Sequence, residues 1–408
     1  MTVSSDEITP EEFLGGLVQF VDSFVIPLEK ENEKIFRSPE LLYGENGGFS
    51  PEVVELFKKV RSASAEAGYF TAFCPPDIGG GGLGSAMMVR AYERLHHRYG
   101  PVYDLPYEVL SHWTSGPSFL CSHMQPELRE QVLPGLVDGT ISTCFGMSEP
   151  DAGSDAWRMT TRARRDGDGW VINGTKQWIS NSPYADYVFL FAVTNPELQA
   201  QRKGGVSCFL LPMSTEGVAI DSIIRLMGEF GGNEAILSFT DVRVPATALV
   251  GDLDGGFRLA MGGVSIGRTY NAARSVGLAR WALEKATDYA KIRVTFGHPI
   301  AEYQGVSFQL AESAMDVHAA WLMALDLGER LDRGERAVAE MAMAKAFCVE
   351  ACYRVYERAM QIHGGMGMTN EVGLYKGWHQ ARRLKIADGS SEILRRTIAR
   401  RVLAGDLP

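Results

Sequence analysis

"CFGMSEPDAGSDAWRMTTRARRDGDGWVINGTKQWIS", residues 144–180, is where the chain changes its period. Upstream, apolar residues recur at helical spacing. Here and onward short β-rich runs replace that spacing, with Gly, Pro, Asn and Asp between the runs. "WVINGTKQWIS" reads as β-rich runs with an Asn-Gly turn between them. "DYVFLFAVT", "VSCFLLPM", "GVAID" and "EAILSFTDVRVP" read as further strands. The spacing predicts a compact antiparallel β-domain over about 141–250.

Helices flank that segment. "TPEEFLGGLVQFVDSFVIPLEKEN" opens on the start signal Thr9-Pro10-Glu11-Glu12, and "SPEVVELFKKVRSASAEAG" opens on Ser50-Pro51-Glu52 and closes at Gly68. "QPELREQVLPGLVDG" repeats the design. Beyond 250, Val276, Ala279, Leu283, Ala286 and Ala290 step by three and four along one helix face. "RAVAEMAMAKAFCVEACYRVYERAMQIHGG" is apolar around much of its circumference, as a buried bundle helix is. Helices, then strands, then helices argue for segregated layers and an α+β fold, not a doubly wound sheet. The expected domains are 1–140 (helical), 141–250 (β) and 251–408 (helical bundle).

Composition narrows the function classes. The 408 residues hold 50 acidic and 40 basic side chains, and no Lys/Arg block marks a nucleic-acid or membrane patch. Cys74, Cys121, Cys144, Cys208, Cys348 and Cys352 form no CxxC pair and no zinc spacing, which suits buried free thiols in a reducing compartment. Cys348 and Cys352, one helical turn apart, read as small core residues. The first residues lack a basic stretch followed by an apolar run, so no signal peptide is expected. No apolar run approaches the roughly 20 residues of a membrane span. A cytoplasmic protein is expected. "GGGGLG" (79–84) and "GGMGMTNE" (364–371) follow no clear strand and carry no Lys-Ser/Thr, which disfavours a phosphate loop. HExxH does not occur, and the eight histidines are scattered.

The 144–180 stretch resembles the first signature of the acyl-CoA dehydrogenase flavoprotein family. "PPDIGGGGLG" (75–84), "RVTFGHPIAEYQGVSFQLA" (293–311) and "QIHGGMGMTNEVGLYKGWHQARRLKIADGSSEIL" (361–394) resemble other segments of that family, in its order. The resemblance implies an N-terminal α-helical bundle, a middle β-domain and a C-terminal four-helix bundle. It implies FAD as cofactor, an acyl-CoA substrate, an electron-transfer flavoprotein as acceptor, and a homotetramer whose flavin sites are shared between subunits. Phe145, Met147 and Ser148 match positions lining the flavin ring. Trp178 and Ser180 match those covering its face and bonding near N5. For Trp178 the plain alternative is a core aromatic. Ser154 matches a serine at the pyrophosphate. Arg293, Thr295, Phe296, Gln304, Gln361, Ile362, His363, Gly364 and Gly365 match contacts from a neighbouring subunit. Ser390 and Glu392 fall where Thr and Gln are more usual, and Glu392 departs from the pattern because a carboxylate cannot donate as an amide does.

The family removes an α-proton with a carboxylate while hydride leaves the β-carbon for flavin N5. The resemblance places the base at Asp388, in "ADGS", where Glu is usual. Another branch places a Glu at the position of Gly267, which here has no side chain. Substrate contacts are implied at Ser154, Arg268 and Gly389. Asp is shorter than Glu by one methylene, about 1.5 Å of reach. The plain alternative for Asp388 is a cap on the following helix. His112, Trp113 and Thr114 suit short, branched or ring-bearing acyl groups, or simple helix packing. Alternatives to a dehydrogenase are an oxidase, an enoyl reductase, an acyl-carrier-protein dehydrogenase, a flavin monooxygenase, or a non-catalytic flavin-binding protein.

Overall fold

The computed structural model describes residues 9–406. The signal-peptide reading falls mostly on residues outside that range. Contacts divide the described chain into two compact units. One comprises 21–82 and 107–263, the other 9–20, 83–106 and 264–406.

The first unit is built on eight strands: β1 (Thr143–Gly146), β2 (Arg162–Asp166), β3 (Gly169–Ser180), β4 (Tyr187–Val193), β5 (Val206–Pro212), β6 (Val218–Ile224), β7 (Glu234–Pro245) and β8 (Leu249–Val250). Their order is β6-β7-β3-β2-β4-β5-β8, with β1 on β4. All four later runs read as strands are strands. The expectation of a purely antiparallel sheet needs correction. β1 runs parallel to β4, and β2 meets β4 in a parallel bridge, so the sheet is mixed. The Asn-Gly turn is a second correction. β3 passes straight through Asn173-Gly174 with a register shift there. A Cβ on Gly174 would lie 2.4 Å from Thr161 Oγ1, so the glycine serves a close strand approach rather than a turn.

Alternation explains why β4 and β5 are apolar throughout. Phe189, Phe191, Cys208 and Leu210 enter one core cluster, and Val188, Leu190, Phe209 and Leu211 enter the other. Successive side chains point to opposite faces, and both faces are covered.

In the second unit, Thr9 and Glu12 form the expected capping box (Thr9 N to Glu12 Oε2, 2.9 Å; Glu12 N to Thr9 Oγ1, 3.3 Å). Residues beyond 250 form helices Gly256–Ile292, Gln304–Asp332, Val338–His363, Leu374–Leu384 and Ser391–Leu403, one more than a four-helix count. The 3/4 spacing holds: Val276, Ala279, Ala286 and Ala290 are buried. All six cysteines are free and buried, Cys348 and Cys352 within the third of these helices. The "GGGGLG" loop ends on a helix start that the protein's own Asp332 occupies. Ser85 and Ala86 N–H donate to its two carboxylate oxygens, at 2.5 and 3.0 Å. No described helix is long and apolar enough to cross a membrane.

Candidate active site

Helix Leu374–Leu384 ends and helix Ser391–Leu403 begins across a short loop. Two consecutive residues make the turn with positive φ, Asp388 at 53° and Gly389 at 102°. Asp tolerates the left-handed region better than most side chains. At Gly389 a Cβ would stand 3.2 Å from Arg268 Nη2. Two cations pin the turn by its carbonyls. Arg268 Nε donates to Asp388 O at 2.9 Å, and the buried Lys345 donates through Nζ to Gly389 O at 2.8 Å. The carboxylate has its own partner: Asn271 Nδ2 donates to Asp388 Oδ2 at 2.7 Å. No hydrogen bond reaches Oδ1, and none is made by Gly389 N–H, among the described residues.

The helix cap is a different residue. Ser390 caps Ser391–Leu403, its Oγ accepting from Ile393 N at 3.4 Å. Asp388 therefore has no capping role. Although the residue keeps some exposure, its carboxylate is set deep. Burial raises its pKa despite the lowering influence of Lys345, Arg274, Arg268 and the Asn271 hydrogen bond. Burial likewise brings the Lys345 ammonium down to about 8, against the pull of Asp388. A carboxyl whose pKa is raised by burial and whose second oxygen is left unbonded is equipped to accept a proton.

In the sheet unit, Trp178 sits where β3 slips register between Lys176 and Ile179, at φ 65°. The bulge turns its ring outward, 54% exposed, so it is not a core aromatic. Ser180 Oγ approaches Glu234 Oε1 at 3.4 Å. Phe145 is half-buried, packed edge-on to Trp113 and tilted against Phe191, with ring centres 4.7 Å apart in each case. Met147 is buried, Ser148 half-buried, and Ser154 exposed. Trp113 is also packed against Gly263, where a Cβ would lie 2.3 Å from its ring, and His112 Nδ1 and Thr114 Oγ1 are 2.7 Å apart.

The remaining candidates lie in the helical unit. Arg293, Phe296 and Gln304 are exposed and Thr295 half-buried, around a two-stranded hairpin held by Tyr303 Oη donating to Thr295 O at 2.8 Å. Phe296 is 95% exposed at φ 50°. Gln361 is exposed, while Ile362 is buried. The buried His363 ring stacks on Tyr289 at 4.4 Å. That leaves main chain at 363–365 as its reachable part. Gly364 and Gly365 have open space where a Cβ would stand. Glu392 is exposed in the first turn after Ser390.

The profile described as "Acyl-CoA dehydrogenase, middle domain" matches residues 144–242, and that described as "Acyl-CoA dehydrogenase, C-terminal domain" matches 254–403. "Probable acyl-CoA dehydrogenase YngJ" of Bacillus subtilis is 35% identical over 350 residues, covering 86% of this chain and 90% of that protein. The chain belongs to the acyl-CoA dehydrogenase family. Another relative, the "3-(aryl)acrylate reductase" of Clostridium sporogenes, is 30% identical, with 86% and 92% covered. The crystal structure of acyl-CoA dehydrogenase from Geobacillus kaustophilus superposes with a TM-score of 0.82 at 25% identity, covering 96% and 97%. A glutaryl-CoA dehydrogenase from Mycobacterium smegmatis, solved in complex with FADH2, shares the fold at TM-score 0.81 and 24% identity, covering 97% and 94%. Members of the family are flavin-dependent oxidoreductases, and FAD is their cofactor.

Three positions that contact the candidate site escaped the sequence reading. Asn271 and Lys345 meet the 388–389 turn from 117 and 44 residues away, with no local pattern to announce them. Lys176 is the third. Its buried ammonium contacts Glu149 Oε1 at 2.9 Å and Met147 O at 3.0 Å, bracing the 147–149 loop of the family's first signature. The quoted signature contains both Glu149 and Lys176, but alternation alone gave no reason to pair them.

Proposed function

We propose that this family member removes hydrogens from Cα and Cβ of an acyl-CoA thioester to give the 2-enoyl-CoA, with FAD as cofactor and Asp388 as base. The observation that carries this is a carboxylate tethered through Oδ2, free at Oδ1 and spared from helix capping. In chemical terms Asp388 Oδ1 accepts the α-proton. Gly389 N–H, uncommitted to any hydrogen bond, is assigned to the thioester carbonyl, where it stabilises developing negative charge. Arg268 holds the turn by its carbonyl rather than the carboxylate. When bound, FAD supplies the hydride acceptor.

Phe145, Met147, Ser148, Ser154, Trp178 and Ser180 are assigned to the flavin. Arg293, Thr295, Phe296, Gln304, the 361–365 stretch, Ser390 and Glu392 are assigned to a nucleotide shared between subunits, and Ser154 also to substrate. The exposed apolar side chains Ile292, Val294, Phe296, Phe308 and Met315 support a covered surface here, and with it a homotetramer. An electron-transfer flavoprotein is the proposed acceptor. A cytoplasmic location is proposed on the six unpaired thiols. Domain boundaries at about 140 and 250 are supported by family matches that begin at 144 and 254.

One observation favours a second reading. The relative from Clostridium sporogenes is named a reductase, and in that direction Asp388 would return a proton to Cα while reduced flavin would supply the hydride for Cβ. Anaerobic mixing of the FAD enzyme with saturated acyl-CoAs, and of the reduced enzyme with enoyl-CoAs and free acrylates, distinguishes the directions. Bleaching by a saturated thioester supports dehydrogenation. Reoxidation by an acrylate alone would replace it.

A further inference from the structure

We infer that Asn271 is a positioning residue that aims the Asp388 carboxylate and decides which of its oxygens takes the proton. The inference rests on the reading of Asp388 as the base.

Arg268 and Lys345 hold the turn by the carbonyls of Asp388 and Gly389. Those bonds fix the backbone and leave the side-chain torsions of Asp388 open. Asn271 alone among the described residues bonds the carboxylate itself. Three charged groups face that carboxylate without hydrogen-bonding it: Arg268 and Arg274 from helix Gly256–Ile292, and Lys345 from helix Val338–His363.

Asn271 stands one turn beyond Gly267 on the same helix, and residues four apart share a face. The face that has no side chain at 267 therefore carries the carboxylate's donor at 271. An asparagine here is not explained by packing. It is 1% exposed, and its Oδ1 finds no hydrogen-bond partner among the described residues. An apolar side chain of like size would leave no acceptor stranded. The amide is accounted for by its other end: an ionised carboxylate requires a donor, and only the Nδ2 side supplies one. With Oδ2 engaged, Oδ1 is left as the proton acceptor.

The test compares wild type, Asn271→Leu, Asn271→Gln and Asp388→Asn as FAD-loaded enzymes, mixed anaerobically with straight-chain, branched and ring-bearing acyl-CoAs across pH. Asn271→Leu keeps the branched shape and removes the donor. Its limiting rate of flavin reduction is expected to fall about 10–100-fold, the worth of a hydrogen bond to a charged group. The apparent affinity for thioester should change little. The acid limb of the rate profile should move to higher pH, because the ionised form has lost a donor. Asn271→Gln, which keeps an N–H donor, should recover part of the rate. If Asn271→Leu does not load flavin, Asn271→Ala carries the same expectation. The inference is overturned if the wild type is bleached, Asp388→Asn is inert, and the donor-free variant retains the wild-type limiting rate and pH limb. If Asp388→Asn is bleached like the wild type, the base assignment itself fails, and the inference with it.

Discussion

Lys176 Nζ lies 2.9 Å from Glu149 Oε1, with both side chains buried beneath the loop of the family's first signature. Glu149 also accepts from Thr160 N and Thr161 N, at 2.6 and 2.9 Å. Burial alone would raise its pKa; the Lys176 charge and these hydrogen bonds prevail and hold it below the usual carboxylate range. A carboxylate depressed on folding contributes stability above its unfolded pKa and loses it as pH falls. Thermal stability should therefore drop below about pH 4.5. Glu149→Gln should flatten part of that drop while costing about 3–5 kcal/mol at neutral pH, because Lys176 is left buried without its counter-charge. Urea unfolding across pH checks both.

Removing Lys345 tests the turn from the other side. Lys345→Met strands the Gly389 carbonyl and takes away a cation that favours the Asp388 carboxylate. The acid limb of flavin reduction should move to higher pH and the limiting rate should fall by about tenfold or more, as for a misplaced catalytic group. An unchanged profile would show that Arg268 suffices to hold the turn.

Trp178 separates a cofactor platform from a packing residue. At 54% exposure, Trp178→Ala should cost under about 1 kcal/mol, whereas a core tryptophan would cost about 3–5 kcal/mol. Flavin content after gel filtration should fall. Unfolding midpoints and the flavin-to-protein absorbance ratio report the two effects independently.

The cysteines give an alkaline signature. Burial pushes Cys74 up to about 12 and Cys121 to about 11, and raises Cys144, Cys208, Cys348 and Cys352 as well. A group raised on folding contributes stability that is complete below its unfolded pKa and lost as pH climbs past it. Stability should decline above about pH 9, and a thiol reagent should label no cysteine before unfolding.

Much of the fold was legible because it is local. The short apolar run in "DYVFLFAVT" reads as a strand buried on both faces, and Phe189 and Phe191 enter one core cluster while Val188 and Leu190 enter the other. Val276, Ala279 and Ala286 declare their helix face in the same way. Asn173-Gly174 misled because an Asn-Gly pair is the strongest short hairpin signal, while here the glycine answers to Thr161, just before the neighbouring strand β2. The site was legible only at its ends. Asp388 stands in a recognisable turn, but its donor lies 117 residues away, and Asp332 reaches Ser85 across 247. Such pairings belong to tertiary packing. The left-handed bulge that exposes Trp178 likewise depends on the pairing of β3 with β7.

The most direct test is anaerobic reduction of the FAD-loaded enzyme by an acyl-CoA panel, with Asp388→Asn beside the wild type. Burial raises the carboxyl pKa, so the ionised side chain gives up stability as pH rises through its folded value. The asparagine variant keeps the turn's backbone bonds from Arg268 and Lys345 and is expected to fold. Wild type should bleach with at least one saturated thioester, and Asp388→Asn should do so about 10²–10⁴-fold more slowly, the usual worth of a general base. Equal bleaching by both proteins, or none by the wild type with any thioester, would contradict the account.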